Sequence, residues 1–168
     1  LLYGDYDVDG TSSIVILMKA FELAGADARY FVPNRLRDGY GMREEVIEQA
    51  ARDSVALIVS VDTGIRAVAV VERARELGID VIVTDHHNVA DTPPPAIATI
   101  NPKRKDHSYP FIDLAGVGVA FKLVQALQTR LPGLPIGNEK WLLDLVALGT
   151  VCDVVTLVDE NRTNVYWG

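Results

Sequence analysis

The hydrophobic pattern of the chain changes period repeatedly. Short apolar runs alternate with stretches in which apolar residues recur every three or four positions. The runs are "LLY" at the start, "ARYFV" from Ala28, "ALIVSVD" ending at Asp62, "DVIVTDHH" ending at His87 and "AIATIN" ending at Asn101. They are rich in Val and Ile and bounded by turn residues, which predicts strands. Between them lie helical periods. One follows Thr11, Ser12 and Ser13, which are N-cap types, and stops at Gly25. Others run through "MREEVIEQAARD" and "IRAVAVVERARELG", the latter closing on Gly78. Two more are predicted over roughly Val117 to Leu131 and Glu139 to Val151. The three prolines Pro93, Pro94 and Pro95 make the loop before the fifth run rigid, since proline suits neither helix interior nor central strand. Strand and helix alternate, and the middle strands are apolar on both sides. The pattern predicts an α/β fold: a doubly wound parallel sheet of about five strands with helices on both faces.

The length of 168 residues suits one domain with a substantial core, so residues 1–168 are expected to form a single domain. Hydrophobic residues make up 49% of the chain, which excludes a disordered protein. No apolar run approaches the ~18 residues of a membrane span, so no membrane role is expected. The single cysteine, Cys152, rules out an intrachain disulfide and fits a cytoplasmic location. The chain opens inside a strand, without Met, and "NVYWG" carries no helix stop signal. It is therefore expected to be a piece of a longer protein. Net charge is 16 − 23 = −7. By itself this opposes a nucleic-acid partner, because phosphate binding needs a basic surface. Acidic residues gathered to hold cations change that inference, since a bound ion offsets them.

In open parallel sheets ligands bind at the carboxyl ends of strands, so the polar residues there carry the chemistry. The first strand ends in Asp5-Tyr6-Asp7, the third in Asp62, the fourth in Asp85-His86-His87. A single Asp before Gly is ordinarily a turn residue. Three strand ends delivering carboxylates and imidazoles to one edge are costly without a cation. Carboxylate and imidazole donors without cysteine suit Mn²⁺, Mg²⁺ or Fe²⁺. In an extended segment Asp5 and Asp7 would face opposite ways, so both reach one site only if the backbone turns; Gly4 and Gly10 flank them. Asp7-Val8-Asp9-Gly10-Thr11 also fits the D-x-D-G-T pattern of the haloacid dehalogenase phosphatases. In that family the nucleophile directly follows an apolar strand, whereas Asp7 follows Gly-Asp-Tyr, and Asp62 and the two histidines stay unexplained.

"DHH" after a buried strand resembles the DHH phosphoesterase superfamily. "YGDYDVDGTSS", "VSVDTG" and "VTDHH", with "PNRLRDGYG", "GVGVAFKL" and "LGTVCDVVTL", narrow the resemblance to its RecJ branch, and they cover essentially the whole chain in order. The resemblance implies a single-strand-specific 5′-to-3′ exonuclease of DNA repair and recombination, with two divalent ions, Mn²⁺ ahead of Mg²⁺. It implies that Asp5 and Asp7 each bind one ion, that Asp62 bridges both, and that His86 and Asp153 complete the second. His87 would face the substrate phosphate, with Asp85 as the acceptor that fixes an imidazole. Arg35 would contact phosphate, and the amides at Gly116 and Gly118 would be presented to the strand. There are two departures. Tyr3 stands where many members have a histidine, which leaves the first ion a protein ligand short. The family's C-terminal domain, which grips single-stranded nucleic acid, does not fit within the chain.

Other DHH members hydrolyse pyrophosphate, cyclic dinucleotides or very short oligonucleotides, and one relative is an inactive scaffold. The RecJ-like segments oppose the former, and the full set of five ligand candidates opposes the latter. "GVGVAF" lacks the third glycine of a dinucleotide fingerprint and follows no strand. The Lys103–Lys105 run reads as a solvated loop, His107 as a surface residue, and Trp141 and Trp167 as packing residues.

Overall fold

The computed structural model describes residues 1–106, 108–131 and 133–168; His107 lies outside the described residues. Five strands, β1 (Leu2–Tyr3), β2 (Tyr30–Phe31), β3 (Leu57–Val61), β4 (Asp80–Thr84) and β5 (Ala98–Ile100), form one sheet in the order β2-β1-β3-β4-β5. Every neighbouring pair is parallel. The helices are α1 (Val8–Leu23), α2 (Glu44–Arg52), α3 (Val68–Glu76), α4 (Gly116–Gln128), α5 (Leu143–Cys152) and α6 (Asp159–Trp167), with a 3₁₀ turn at Asn138–Leu142.

Alternation along the strands divides the core in two. Leu2, Val59 and Val61 pack with Ile16 and Leu17 of α1, Val117 and Phe121 of α4 and Val146 of α5. Tyr3, Ile58, Val81 and Val83 pack with Ile47 of α2 and Val71 and Ala74 of α3. Both sheet faces are thus covered, which is why the central strands read as continuous apolar runs. The register pairs Tyr3 with Ser60 and Ser60 with Val83, and β5 extends it by pairing Val83 with Thr99. Residues just past β1, β3, β4 and β5 therefore emerge along one edge. The strand order reverses between β1 and β3, which is where doubly wound sheets open a binding crevice.

The expected parallel sheet, its five strands and five helices are present. Three features differ. First, α1 starts about one turn earlier than a Thr11–Ser13 cap would allow. Asp7 is its N-cap and accepts the Gly10 N–H at 2.9 Å. The Thr11 and Ser13 hydroxyls instead donate to the carbonyls of Asp7 and Asp9, inside the helix. Second, α6 has no counterpart in the hydrophobic pattern, because polar tertiary contacts hold it. The Asn161 amide donates to the Asp113 carbonyl, and the Tyr109 hydroxyl donates to Glu160. Third, Trp141 and Trp167 are not packing residues here; they are 84% and 71% exposed.

Leu17 is fully buried between the sheet and α4. Leu17→Ala is expected to lower unfolding stability by ~2–5 kcal/mol through lost burial and a residual cavity. Urea unfolding should show this as a lower midpoint at unchanged slope.

Candidate metal centre

The first strand end turns because glycine allows close approach, and neither Gly4 nor Gly10 has positive φ. A Cβ on Gly10 would lie 2.8 Å from the Asp5 backbone, and one on Gly4 would meet Ile14 at 2.3 Å. With no side chain there, α1 starts directly on top of Asp5. Asp5 is buried and accepts the Tyr6 N–H at 2.7 Å, while Asp7, the helix cap, is exposed. The two carboxylates reach one place with Asp62: ligand atoms of Asp5, Asp7 and Asp62 lie within 4.8 Å of one another.

Asp62, just past β3, has φ +57, a left-handed conformation uncommon for a residue with a Cβ. Its N–H donates to the Thr84 carbonyl at 3.0 Å, and the strained backbone turns the carboxylate away from the strand. The side chain is 2% exposed, and Oδ1 has no hydrogen-bond partner. Past β4, His86 is equally buried, and neither ring nitrogen is hydrogen-bonded. Its Nε2 lies 3.1 Å from Asp62 Oδ1, 3.6 Å from Asp153 Oδ2 and 3.7 Å from Asp9 Oδ2. Asp153 caps the C-terminus of α5. Asp62 thus stands between two groups, Asp5 with Asp7 and His86 with Asp153.

Asp85 is the hub of the fourth strand end. Its Oδ1 accepts the N–H groups of His86 and His87 and pairs with His87 Nδ1 at 2.7 Å, while Oδ2 accepts the Ile65 N–H at 3.0 Å. Burial pushes its pKa up, but the His87 bonds outweigh that and leave it below the ordinary value. The hydrogen bond to Asp85 raises His87 to about 9. His87 lies at the mouth, 41% exposed, beside a cleft of about 650 Å³ lined also by Tyr40, Thr63, Gly64 and Arg66. Burial is the main force raising the carboxyls of Asp5, Asp153, Asp9 (to about 6) and Asp62 (to about 10), with neighbouring carboxylates adding to the shift in each. Buried donors without partners, among carboxylates that repel one another, fit divalent cations.

Arg35 lies outside this cluster, in the loop before α2, with its guanidinium 5.4 Å from the Tyr6 ring centre. The first amide of α4 is turned inward. The Gly116 N–H donates to Asp9 at 2.7 Å, and Gly118 is buried behind it within the helix. Gly116 serves close packing instead, since a Cβ there would lie 2.6 Å from Asp62 Oδ1. Tyr3 supplies no ligand: it is wholly buried, and its hydroxyl donates to the Gly41 carbonyl. In the basic run, Arg104 is held by Asp106 and by the Thr99 carbonyl.

Residues 1–150 match the DHH family, N-terminal domain. The chain belongs to the DHH family. Curated relatives include the single-stranded-DNA-specific exonuclease RecJ of Escherichia coli, 48% identical over 177 residues, covering 100% of this chain and 31% of that protein. RecJ of Bacillus subtilis is 44% identical over 162 residues, covering 96% of this chain and 20% of that protein. A crystal structure of exonuclease RecJ bound to manganese has a TM-score of 0.87 at 37% identity, over 99% of this chain and 42% of that one. RecJ in complex with Mn²⁺ from Thermus thermophilus gives 0.80 at 35% identity, over 99% of this chain and 23% of that one. The chain spans 20% and 31% of the length of these two curated relatives. Among the described residues, no helix is long and apolar enough to cross a membrane.

The motifs leave three residues around this DHH site without a role. Asp9 follows Asp5 and Asp7 at the same two-residue spacing. Tyr40 approaches His87 Nδ1 at 3.4 Å, and Asn101 donates to the His87 carbonyl at 2.9 Å. Asn101 had one legible signal: it ends a strand beside the one that ends in Asp85.

Without metal, Asp5, Asp9, Asp62 and Asp153 hold a proton more tightly in the fold than in the unfolded chain. Their contribution is complete below the unfolded value of about 3.9 and is lost as pH rises through the higher folded values. His87, also raised, acts in the same direction. Chelated protein is therefore expected to melt at a higher temperature at about pH 5 than at about pH 7.5. Calorimetry in chelator checks this, and a higher melting temperature at the upper pH would contradict it.

Proposed function

We propose that this chain is the catalytic domain of a metal-dependent, single-strand-specific DNA exonuclease of the RecJ type, working 5′-to-3′ in repair and recombination in the cytoplasm. The observation that carries the reading is Asp62: a buried carboxylate with an unpartnered oxygen between two ligand groups. The resemblance to RecJ proteins, two of them solved with manganese, supports the substrate and the choice of Mn²⁺ ahead of Mg²⁺.

In this reading Asp5 and Asp7 would hold one ion, His86 and Asp153 the other, and Asp62 would lie between them. Bound there, two such ions would supply charge withdrawal from the scissile phosphate and activation of water. The protein's own part is positional. With Asp85 accepting at Nδ1, His87 keeps its Nε2 side for a phosphate oxygen and carries positive charge at neutral pH. Arg35, on a loop of the same face, gives a planar fork for a further phosphate oxygen. Asn101 keeps the His87 backbone fixed while the substrate arrives. Residues 1–168 act as one catalytic domain of a longer protein whose C-terminal part grips the strand. The −7 charge of this chain fits that division, because affinity for single strands comes mainly from neutralising the backbone.

Two measurements test the reading. Calorimetric titration with Mn²⁺ should show binding that Asp62→Ala largely abolishes, and unchanged binding in that variant removes the bridging role. On end-labelled DNA, the chain should cut single strands slowly with Mn²⁺, spare duplex, and stop with chelator. His87→Ala should be slower by about 10²–10⁴-fold. Robust pyrophosphate hydrolysis without DNA cleavage would transfer the assignment to a small-molecule DHH phosphoesterase.

A further inference from the structure

Asp9, whose side chain is fully out of solvent, is a buried carboxylate to which the reading above gives no role. Its Oδ2 accepts the N–H of Gly116 and its Oδ1 that of Val117, both at 2.7 Å. These are the first two residues of the 13-residue α4, so the carboxylate sits where the helix dipole favours negative charge. The same joint gathers the parts of the site. A Cβ on Gly116 would lie 2.6 Å from Asp62 Oδ1, and one on Gly149 of α5 would lie 3.1 Å from Asp9 Oδ1. The helix that carries Gly149 ends at Asp153. Beside the joint, both His86 ring nitrogens are buried without a hydrogen-bond partner, and Nε2 is 3.7 Å from Asp9 Oδ2. Buried polar atoms in that state point to a ligand.

We propose that Asp9 is a positioning residue for the ion held by His86 and Asp153: it clamps the N-terminus of α4 to the start of α1 and so sets the spacing of Asp62, His86 and Asp153, without itself binding metal. This rests on the two-ion reading. Each Asp9 oxygen already accepts a backbone N–H, so the carboxylate is oriented before any ion enters. An asparagine in its place accepts one of those bonds and turns its own NH₂ toward the other donor. Asp9 thereby differs from Asp153, which caps the C-terminus of α5 and whose Oδ2 lies 3.6 Å from His86 Nε2.

The test uses chelated protein, Mn²⁺ titration, and the spin–spin coupling between neighbouring Mn²⁺ ions in electron paramagnetic resonance. Asp9→Asn is expected to lower the metal-free melting temperature and weaken the second Mn²⁺ at least tenfold, with loss of the coupled signal. The first ion should bind as in wild type. Asp153→Asn should weaken the second ion without lowering the metal-free melting temperature. Val117→Pro keeps the Asp9 charge, deletes one N–H in the first helical turn where proline is tolerated, and should weaken the second ion to a smaller degree. It carries the test if Asp9→Asn does not fold. If Asp9→Asn loses the second ion at an unchanged or raised melting temperature, Asp9 is a ligand and the proposal falls. If it lowers the melting temperature but binds both ions normally, Asp9 is only structural and the proposal falls. Val117→Pro with wild-type binding also overturns it. Wild-type protein that takes up fewer than two ions overturns the two-ion reading, and this inference with it.

Discussion

Buried like charge is the constraint on which the rest of this structure depends. Asp5, Asp9 and Asp62 are each at least 97% out of solvent, and Asp153 is at their side. Removing several carboxylates from water and crowding them together is unfavourable twice over, through desolvation and through repulsion. Within the cluster, His87 carries positive charge, held by Asp85. Everything nearby can be understood as a way to tolerate the crowded carboxylates until a cation arrives. The Asp9 carboxylate lies against a helix N-terminus, Asp85 is surrounded by four donors, and Asp62 keeps an oxygen unpaired.

Close packing of backbone is what makes the crowding possible. Gly10, Gly116 and Gly149 each occupy a place where a Cβ would meet another element at 2.8 Å or less. Together they let α1, α4 and α5 converge on the carboxyl edge of β1 and β3. Asp62 contributes in a different way, by holding a left-handed backbone conformation that turns its carboxylate into the space between the two ligand groups. Strain concentrated at such a position belongs with a site whose geometry must be kept rather than relaxed. The apolar core on both faces of the sheet supplies the rigidity that keeps it.

A negatively charged chain whose curated relatives are single-stranded-DNA-specific exonucleases is less paradoxical in this light. Much of its acidic excess is internal to the site, where bound cations would reverse the local field. The outer mouth is different in character: His87 carries positive charge, and Arg66 lines the cleft beside it. The chain spans 20% and 31% of the length of two curated single-strand-specific exonucleases, and the proposed function assigns it phosphate attack rather than the grip on a long strand.

The alternation of apolar runs and helical periods was enough to determine the parallel sheet, because strands buried on both faces leave an unbroken apolar signature. The strand-end motifs were enough to single out Asp5, Asp7, Asp62, Asp85, His86 and His87, since ligands gather where parallel strands end. Sequence did not show α6, whose polar residues are held by Asp113, Thr156 and Tyr109 rather than by an amphipathic face. Nor did it show that Trp141 and Trp167 lie open to solvent. Above all, the resemblance left Gly116 looking like a donor to a substrate, because a glycine that frees an amide and a glycine that admits a neighbour read alike. Only the folded chain brings Asp9 across more than a hundred residues to take that amide. Local chemistry is written in the order of residues, whereas the pairing of distant buried groups is decided by which surfaces the packed helices press together.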